Sequence, residues 1–301
     1  MPNLSTRPTR LARSNGIELA YDTFGDAAAP PLLLIAGLGA QMIDWDAEFC
    51  TQLAGRGFRV VRFDNRDIGC STRFTAAGIP HIRSLMFSAM FGLRPAVPYR
   101  LRDMADDALG LLDALGIGRA HVVGASMGGA IAQEMALHHA PRVRTLTSIM
   151  STTGSPLLPP PTPEALALLL SRPPTDATAY AQYHARLWRV LRGPGFDEDA
   201  ARDAERGRLT FARGVSPDGT TRQLAAVIGS GDRTAALRSL RVPTLVVHGE
   251  ADPLVHVAAG VATAAVISGA KLLRVPGMGH ALPSALWPLL VEGIASHAAG
   301  T

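Results

Sequence analysis

Cysteine and lysine are nearly missing from this chain, and both absences exclude something. Only Cys50 and Cys70 occur in 301 residues, without a CxxC spacing. That rules out a disulfide framework and leaves no zinc or redox pair, so the expectation is two reduced, mostly buried thiols. Lys271 is the sole lysine, and the net charge of +4 rests on arginines scattered singly among Asp and Glu. No basic stripe exists to follow a phosphate backbone, and no nucleic-acid partner is expected. Long apolar runs are absent too. None approaches the roughly 18–20 residues of a membrane helix, and residues 1–13 are polar with no apolar signal core. A cytoplasmic protein without a membrane partner is expected.

What the chain does have is short apolar blocks, which make up most of its 47% hydrophobic content. Asn15-Gly16 lies between residues 9–13 and 17–24 and favours the positive φ angles of a tight hairpin turn. After Pro30-Pro31 comes the continuous apolar run at 32–36, which suits a strand covered on both faces. Similar runs at 59–63, 121–123, 145–149, 244–247 and 271–275 read as strands. Helical patterns at 102–115 and 127–139 lie between them, ending at Gly116 and just before Pro141. Such alternation predicts an α/β fold with a mostly parallel sheet flanked by helices. It breaks at about 151–240, where five prolines between 156 and 163 lead into helical stretches at 177–191 and 197–211. The expected organisation is a core of residues 1–150 and 241–301 with a helical cap at 151–240.

One motif stands out chemically. Gly124-Ala125-Ser126-Met127-Gly128 follows the apolar strand at 121–123 and opens an Ala-rich helix. A sharp strand-to-helix turn that strains its nucleophile needs small residues two before and two after it, and Gly124 and Gly128 meet that need. The rival reading, a phosphate-binding loop, lacks both a Gly-Lys-Ser/Thr ending and a GxGxxG register. A serine hydroxyl requires a base. Of nine histidines, His280 in Pro-Gly-Met-Gly-His follows a strand on a glycine-rich loop, whereas His138, His139 and His297 read as surface positions. The base requires a carboxylate to orient it. Asp252 follows the strand at 244–247 in His-Gly-Glu-Ala-Asp-Pro, giving the chain order Ser, Asp, His. Glu250 is the rival acid. An oxyanion requires two N–H donors, expected from Met127 and from Leu38 in Ala36-Gly37-Leu38-Gly39, although that loop also reads as a plain tight turn. Asp64 and Asp67 are expected to brace a loop.

Taken together, residues 32–39, 63–71, 124–129, 249–253 and 277–283 resemble the α/β-hydrolase fold enzymes of the serine esterase type, whose lid helices are inserted after the sixth strand. The segments Gly277 to Pro283 and Asp-Asn-Arg-Asp-Ile-Gly-Cys-Ser look most like the aclacinomycin methylesterase group. Ala36 departs from the histidine common in the family at that position. The resemblance implies hydrolysis of a small or medium apolar carboxylic ester through an acyl-enzyme, with neither metal nor organic cofactor, by a monomer or homodimer. Acyl transfer, cofactor-free haloperoxidase chemistry and C–C bond hydrolysis share the same three residues, and a non-catalytic ligand receptor is a further alternative. Epoxide hydrolase and dehalogenase chemistry would need a carboxylate at 126. Leu157, Leu158, Leu168 to Leu170, Trp188 and Phe211 suggest an apolar pocket under the cap, and ordinary packing within the cap explains them equally well.

Overall fold

The computed structural model describes residues 8–91, 93 and 95–300; most of the polar N-terminal stretch lies outside them. The hairpin forms as its Asn-Gly turn dictates. β1 (Arg10–Ser14) pairs antiparallel with β2 (Ile17–Phe24), and Asn15 and Gly16 take φ of 49° and 79°. β3 (Pro31–Ile35), β4 (Arg59–Phe63), β5 (Ala120–Ala125), β6 (Val143–Ile149), β7 (Thr244–Gly249) and β8 (Lys271–Val275) complete one eight-stranded sheet. Its order is β1-β2-β4-β3-β5-β6-β7-β8, parallel from β4 onward.

β3 shows why the apolar run reads as a strand covered on both faces. Leu33 and Ile35 join the core formed with Leu111 and Ile131, while Leu32 and Leu34 join the opposite core with Phe49 and Leu290. The two-residue period of a strand sends alternate side chains to opposite faces, so only a wholly apolar segment satisfies both. One face is covered by α1 (Ala47–Gly55) and α11 (Trp287–Ala299), and the other by α3 (Leu101–Ala114) and α4 (Met127–His138). A short α2 (Ile82–Met90) precedes α3, and α10 (Val257–Val266) packs on β7 and β8. From β3 the chain moves outward to β4 and then returns past β3 to β5. This reversal leaves a crevice beyond the carboxyl ends of β3 and β5, where open α/β sheets bind ligands.

Five helices separate β6 from β7: α5 (Pro163–Leu169), α6 (Ala177–Arg192), α7 (Ala200–Arg213), α8 (Pro217–Ser230) and α9 (Thr234–Leu237). The predicted helices at 177–191 and 197–211 correspond to α6 and α7. α5, α8 and α9 escape the sequence reading because they are short or broken by small and polar residues. Arginines tie this helical segment to loops of the core. Arg206 reaches Asp46 at 3.0 Å, Arg213 reaches Asp64 at 2.5 Å, and Arg222 grips both oxygens of Asp67 at 2.6 and 2.9 Å. Asp64 and Asp67 do brace the loop after β4, accepting the Met42, Cys70 and Phe74 N–H groups as well. Their arginine partners come from α7 and α8, Tyr99 donates to Asp67 as well at 2.7 Å, and Arg66 pairs with Asp107 instead. One expectation is corrected. Cys50 is buried but Cys70 is exposed, since it sits at the rim of this loop.

The Arg222 side chain is only 2% exposed and faces an Asp67 that is fully buried. Removing one partner leaves a buried charge uncompensated. Asp67→Asn, which tolerates the φ of 74° at this position, is expected to cost about 3–5 kcal/mol in urea unfolding. The double variant with Arg222→Met is expected to cost clearly less than the two single changes summed; simple additivity would contradict the pairing account.

Candidate active site

At the end of β5 the chain turns so sharply that Ser126 takes φ 55° and ψ −122°. A non-glycine residue in that region is strained and persists only where its surroundings hold it. Here they do. The Ser126 N–H donates to the Ile149 carbonyl at 2.9 Å, and the Ser126 carbonyl accepts the Gly129 N–H at 2.9 Å. A side chain at 124 would collide with the carbonyl of Gly128, and one at 128 with the carbonyl of Ile35. These two glycines let β3, β5 and the start of α4 close on one another. Ser126 therefore stands at the crevice between β3 and β5, at the N-terminus of α4.

His280 arrives on the loop after β8. The glycines of that loop meet the end of α6: Gly195 N–H donates to Gly277 O at 2.9 Å, and Gly279 N–H to Arg192 O at 2.8 Å. The imidazole Nε2 lies 2.9 Å from Ser126 Oγ, and Nδ1 lies 2.7 Å from Asp252 Oδ2. Asp252 is held in turn by its own loop after β7. Its Oδ1 accepts the Leu254 and Val255 N–H groups at 2.9 and 2.8 Å, leaving Oδ2 for the imidazole. Burial by itself would raise the Asp252 carboxyl, but the His280 imidazole, the Val255 N–H and the nearby His248 ring outweigh it and hold the group well below the usual carboxylate range. An ionised carboxylate at that point fixes the proton on Nδ1 and leaves Nε2 free to take one from the serine.

Two residues with backbone amides unpaired among the described residues border the same space. Gly37 lies directly against Ser126, and a Cβ there would come within 3.8 Å of Oγ. The next N–H, of Leu38, has no acceptor among the described residues, and that of Met127, the first residue of α4, has none within its helix. Leu38, Ser126, Met127 and His280 all line one cavity of about 1840 Å³.

The rival residues are elsewhere. Glu250 pairs with Arg274 at 2.7 Å, half turned to solvent. His139 pairs with Asp106 and His138 with Glu134 near the far end of α4. His297, expected at the surface, is instead buried, with Nε2 3.2 Å from the Pro243 carbonyl; α11 turns that face inward against the start of β7. Of the apolar residues proposed for the pocket, Leu168, Leu169, Leu170 and Trp188 line it. Leu157 is exposed, Leu158 is not among the lining residues, and Phe211 packs at a tilt against Tyr180. Sequence reasoning missed a polar wall of the cavity, which includes Asp44, Tyr180, His184 and Arg206. Such residues carry no motif, and only the packing of α6 and α7 on the loop after β3 gathers them.

Against known proteins, the family model described as the alpha/beta hydrolase fold matches residues 30–283. The chain belongs to the α/β-hydrolase fold family. Within it, the chain is 30% identical to rhodomycin D methylesterase DauP of Streptomyces sp. (strain C5), over 96% of this chain and 98% of that protein. It is 28% identical to 3-oxoadipate enol-lactonase 2 of Acinetobacter baylyi, over 86% of this chain and 85% of that one. Among solved structures, a hydrolase from Pseudomonas aeruginosa superposes with a TM-score of 0.71 at 28% identity, covering 97% of this chain and 98% of its own. The methylesterase likeness seen in the motifs thus extends over nearly the whole chain.

Asp44 yields a pH signature. Its Oδ2 accepts the Gln41 N–H at 3.1 Å, while Oδ1 is closed off without a partner among the described residues. Burial pushes its carboxyl up to about 6 against the pull of Arg206. An acid that binds its proton more tightly when folded favours the fold at low pH, and that contribution is lost as pH rises from about 3.8 through about 6. Asp44→Asn removes the titration. Its stability relative to the parent chain is expected to improve between pH 4 and pH 8, by on the order of 2 kcal/mol. A difference in melting temperature that stays constant over this range would contradict the assignment.

Proposed function

We propose that the protein is a carboxylic ester hydrolase in which Ser126 attacks the ester carbonyl, His280 is the general base and Asp252 orients it. The observation that carries this reading is the unbroken line from Asp252 Oδ2 through the imidazole to Ser126 Oγ, with steps of 2.7 and 2.9 Å. As Oγ bonds to the carbonyl carbon, its proton passes to Nε2, and Asp252 stabilises the resulting imidazolium. The carbonyl oxygen becomes an oxyanion, received by the Leu38 and Met127 N–H groups with the N-terminus of α4 beneath. Collapse expels the alcohol, which takes the proton from His280, and leaves an acyl-serine. Water, deprotonated by the same imidazole, then releases the acid and restores Ser126.

The helical segment at 151–240 serves in this reading as a cap, because α5 to α8 wall the cavity above Ser126. Leu168, Leu169 and Trp188 on that wall suit an apolar substrate. Likeness to a rhodomycin D methylesterase along the full chain favours a methyl ester as the scissile group. A cavity of about 1840 Å³ leaves ample space for an acid far larger than the methanol released. No step requires a metal or organic cofactor.

Ser126→Ala is expected to lower kcat/KM on p-nitrophenyl acetate and on aryl methyl esters by at least about 10⁴-fold, and Asp252→Asn by about 10²–10⁴-fold, with the fold retained. A Ser126→Ala protein keeping a tenth or more of the activity would reject the nucleophile. Recovery of acyl-alcohol or acyl-thiol product in place of free acid, when an alcohol or thiol is added, would make the protein an acyltransferase.

A further inference from the structure

The loop that carries the Leu38 N–H has little support of its own. Ala36 offers it no polar side chain, and Gly37 and Gly39 leave it free to pivot; Gly39 takes φ 68°. Within it the Ala40 N–H donates to the Gly37 carbonyl at 3.3 Å, and its other fastenings come from outside. On the core side, Asn65 Nδ2 donates to the Ala36 carbonyl at 3.0 Å. On the other side stands α8, one of the inserted helices. Gln223, wholly buried, accepts the Gly39 N–H on its Oε1 at 2.9 Å and donates from Nε2 to the Arg66 carbonyl at 2.9 Å. This pairing leaves no freedom in which end of the amide faces the loop, because Gly39 presents only a donor and Arg66 O only an acceptor. One turn earlier on α8, Thr220 packs so closely on Gly39 that a Cβ there would sit 3.0 Å from Thr220 Oγ1. Further along the loop, Gln41 Nε2 donates to Thr210 O at 2.9 Å, and Gln41 Oε1 accepts from Arg213 Nε at 2.9 Å, both partners lying on α7.

We propose that Gln223 is a positioning residue for the oxyanion site: its amide, carried by the cap, sets the Leu38-Gly39 peptide so that the neighbouring Leu38 N–H points at the oxyanion. This rests on the ester-hydrolase reading above and deepens it. The oxyanion donors are then complete only when α8 is seated on the core. The Arg222–Asp67 pair, one residue before Gln223, fixes that seating. An N–H displaced by a fraction of an ångström binds the ground-state carbonyl almost as before but loses much of its hold on the transition state. The loss should therefore fall on kcat and leave KM alone.

The test measures the parent chain, Ser126→Ala, Gln223→Leu and Gln223→Asn on the same p-nitrophenyl ester, with active-site titration to count folded enzyme in the three chains that keep Ser126 and total protein for Ser126→Ala. Gln223→Asn keeps the amide but draws it back by one methylene, and it stands in if the leucine variant does not fold. Per titrated site, either Gln223 variant is expected to lower kcat about 10- to 100-fold with KM changed less than about threefold. Inhibition by a trifluoromethyl ketone, which forms an oxyanion on the serine, is expected to weaken by a similar factor. The pH profile of the reaction is expected not to move. Unchanged kcat and unchanged ketone affinity per titrated site in both variants would overturn the assignment, as would a loss confined to the number of active sites. Undiminished turnover by Ser126→Ala would instead sink the hydrolase reading beneath it, so the two failures are told apart.

Discussion

Everything at the site depends on how closely three backbones approach one another at the end of β5. β3, β5 and the first turn of α4 meet where any side chain at 124 or 128 would strike a carbonyl. That approach holds Ser126 in a strained conformation, and strain of this kind persists only when the surroundings over-determine it. The sheet order supplies the remaining condition. Because the chain leaves β3 in one direction and returns to β5 in the other, nothing blocks the crevice above them. Loops after β3, β7 and β8 all rise at the same edge, so residues more than a hundred positions apart become neighbours.

A second constraint is electrostatic. Near absence of lysine does not make the arginines interchangeable surface charges. Arg206, Arg213 and Arg222 leave the inserted helices to pair with Asp46, Asp64 and Asp67 on core loops. The planar guanidinium can grip both carboxylate oxygens, as Arg222 does on Asp67, and it fixes orientation as well as distance. Buried pairs of this kind add little net stability relative to apolar packing, but a misplaced helix would strand a charge. They act as registration devices. Their consequence at the site is that the wall formed by α7 and α8 and the loop of Gly37 and Gly39 share one set of fastenings.

The parts readable in the sequence were those whose physics is local. Strands at 59–63 and 271–275 match to the residue, because each is closed in by turn-forming residues: Gly57 and Asp64-Asn65 around the first, Gly269 and Pro276-Gly277 around the second. Ser126, Asp252 and His280 could be singled out because each lies within a few residues of the end of a strand, so the sheet edge that gathers them is implied by the alternation itself. What could not be read depends on packing between distant segments. His297 looked like a surface residue near the chain end, yet α11 buries it. Cys70 belongs to a loop whose rim faces outward. α8, with its Gly, Thr, Gln and Ala residues, shows no clear apolar face, and the contact of Gln223 with Gly39 exists only once α8 is packed on the loop after β3.

The central claim is that the Ser126 hydroxyl is the attacking group, and a stable mimic of the tetrahedral adduct tests it most directly. After incubation with a p-nitrophenyl alkylphosphonate, peptide mass mapping is predicted to find one phosphonyl group per chain, on the peptide bearing Ser126, in step with the loss of esterase activity. Inactivation with the label on another residue, or full activity with Ser126 fully phosphonylated, would contradict the account.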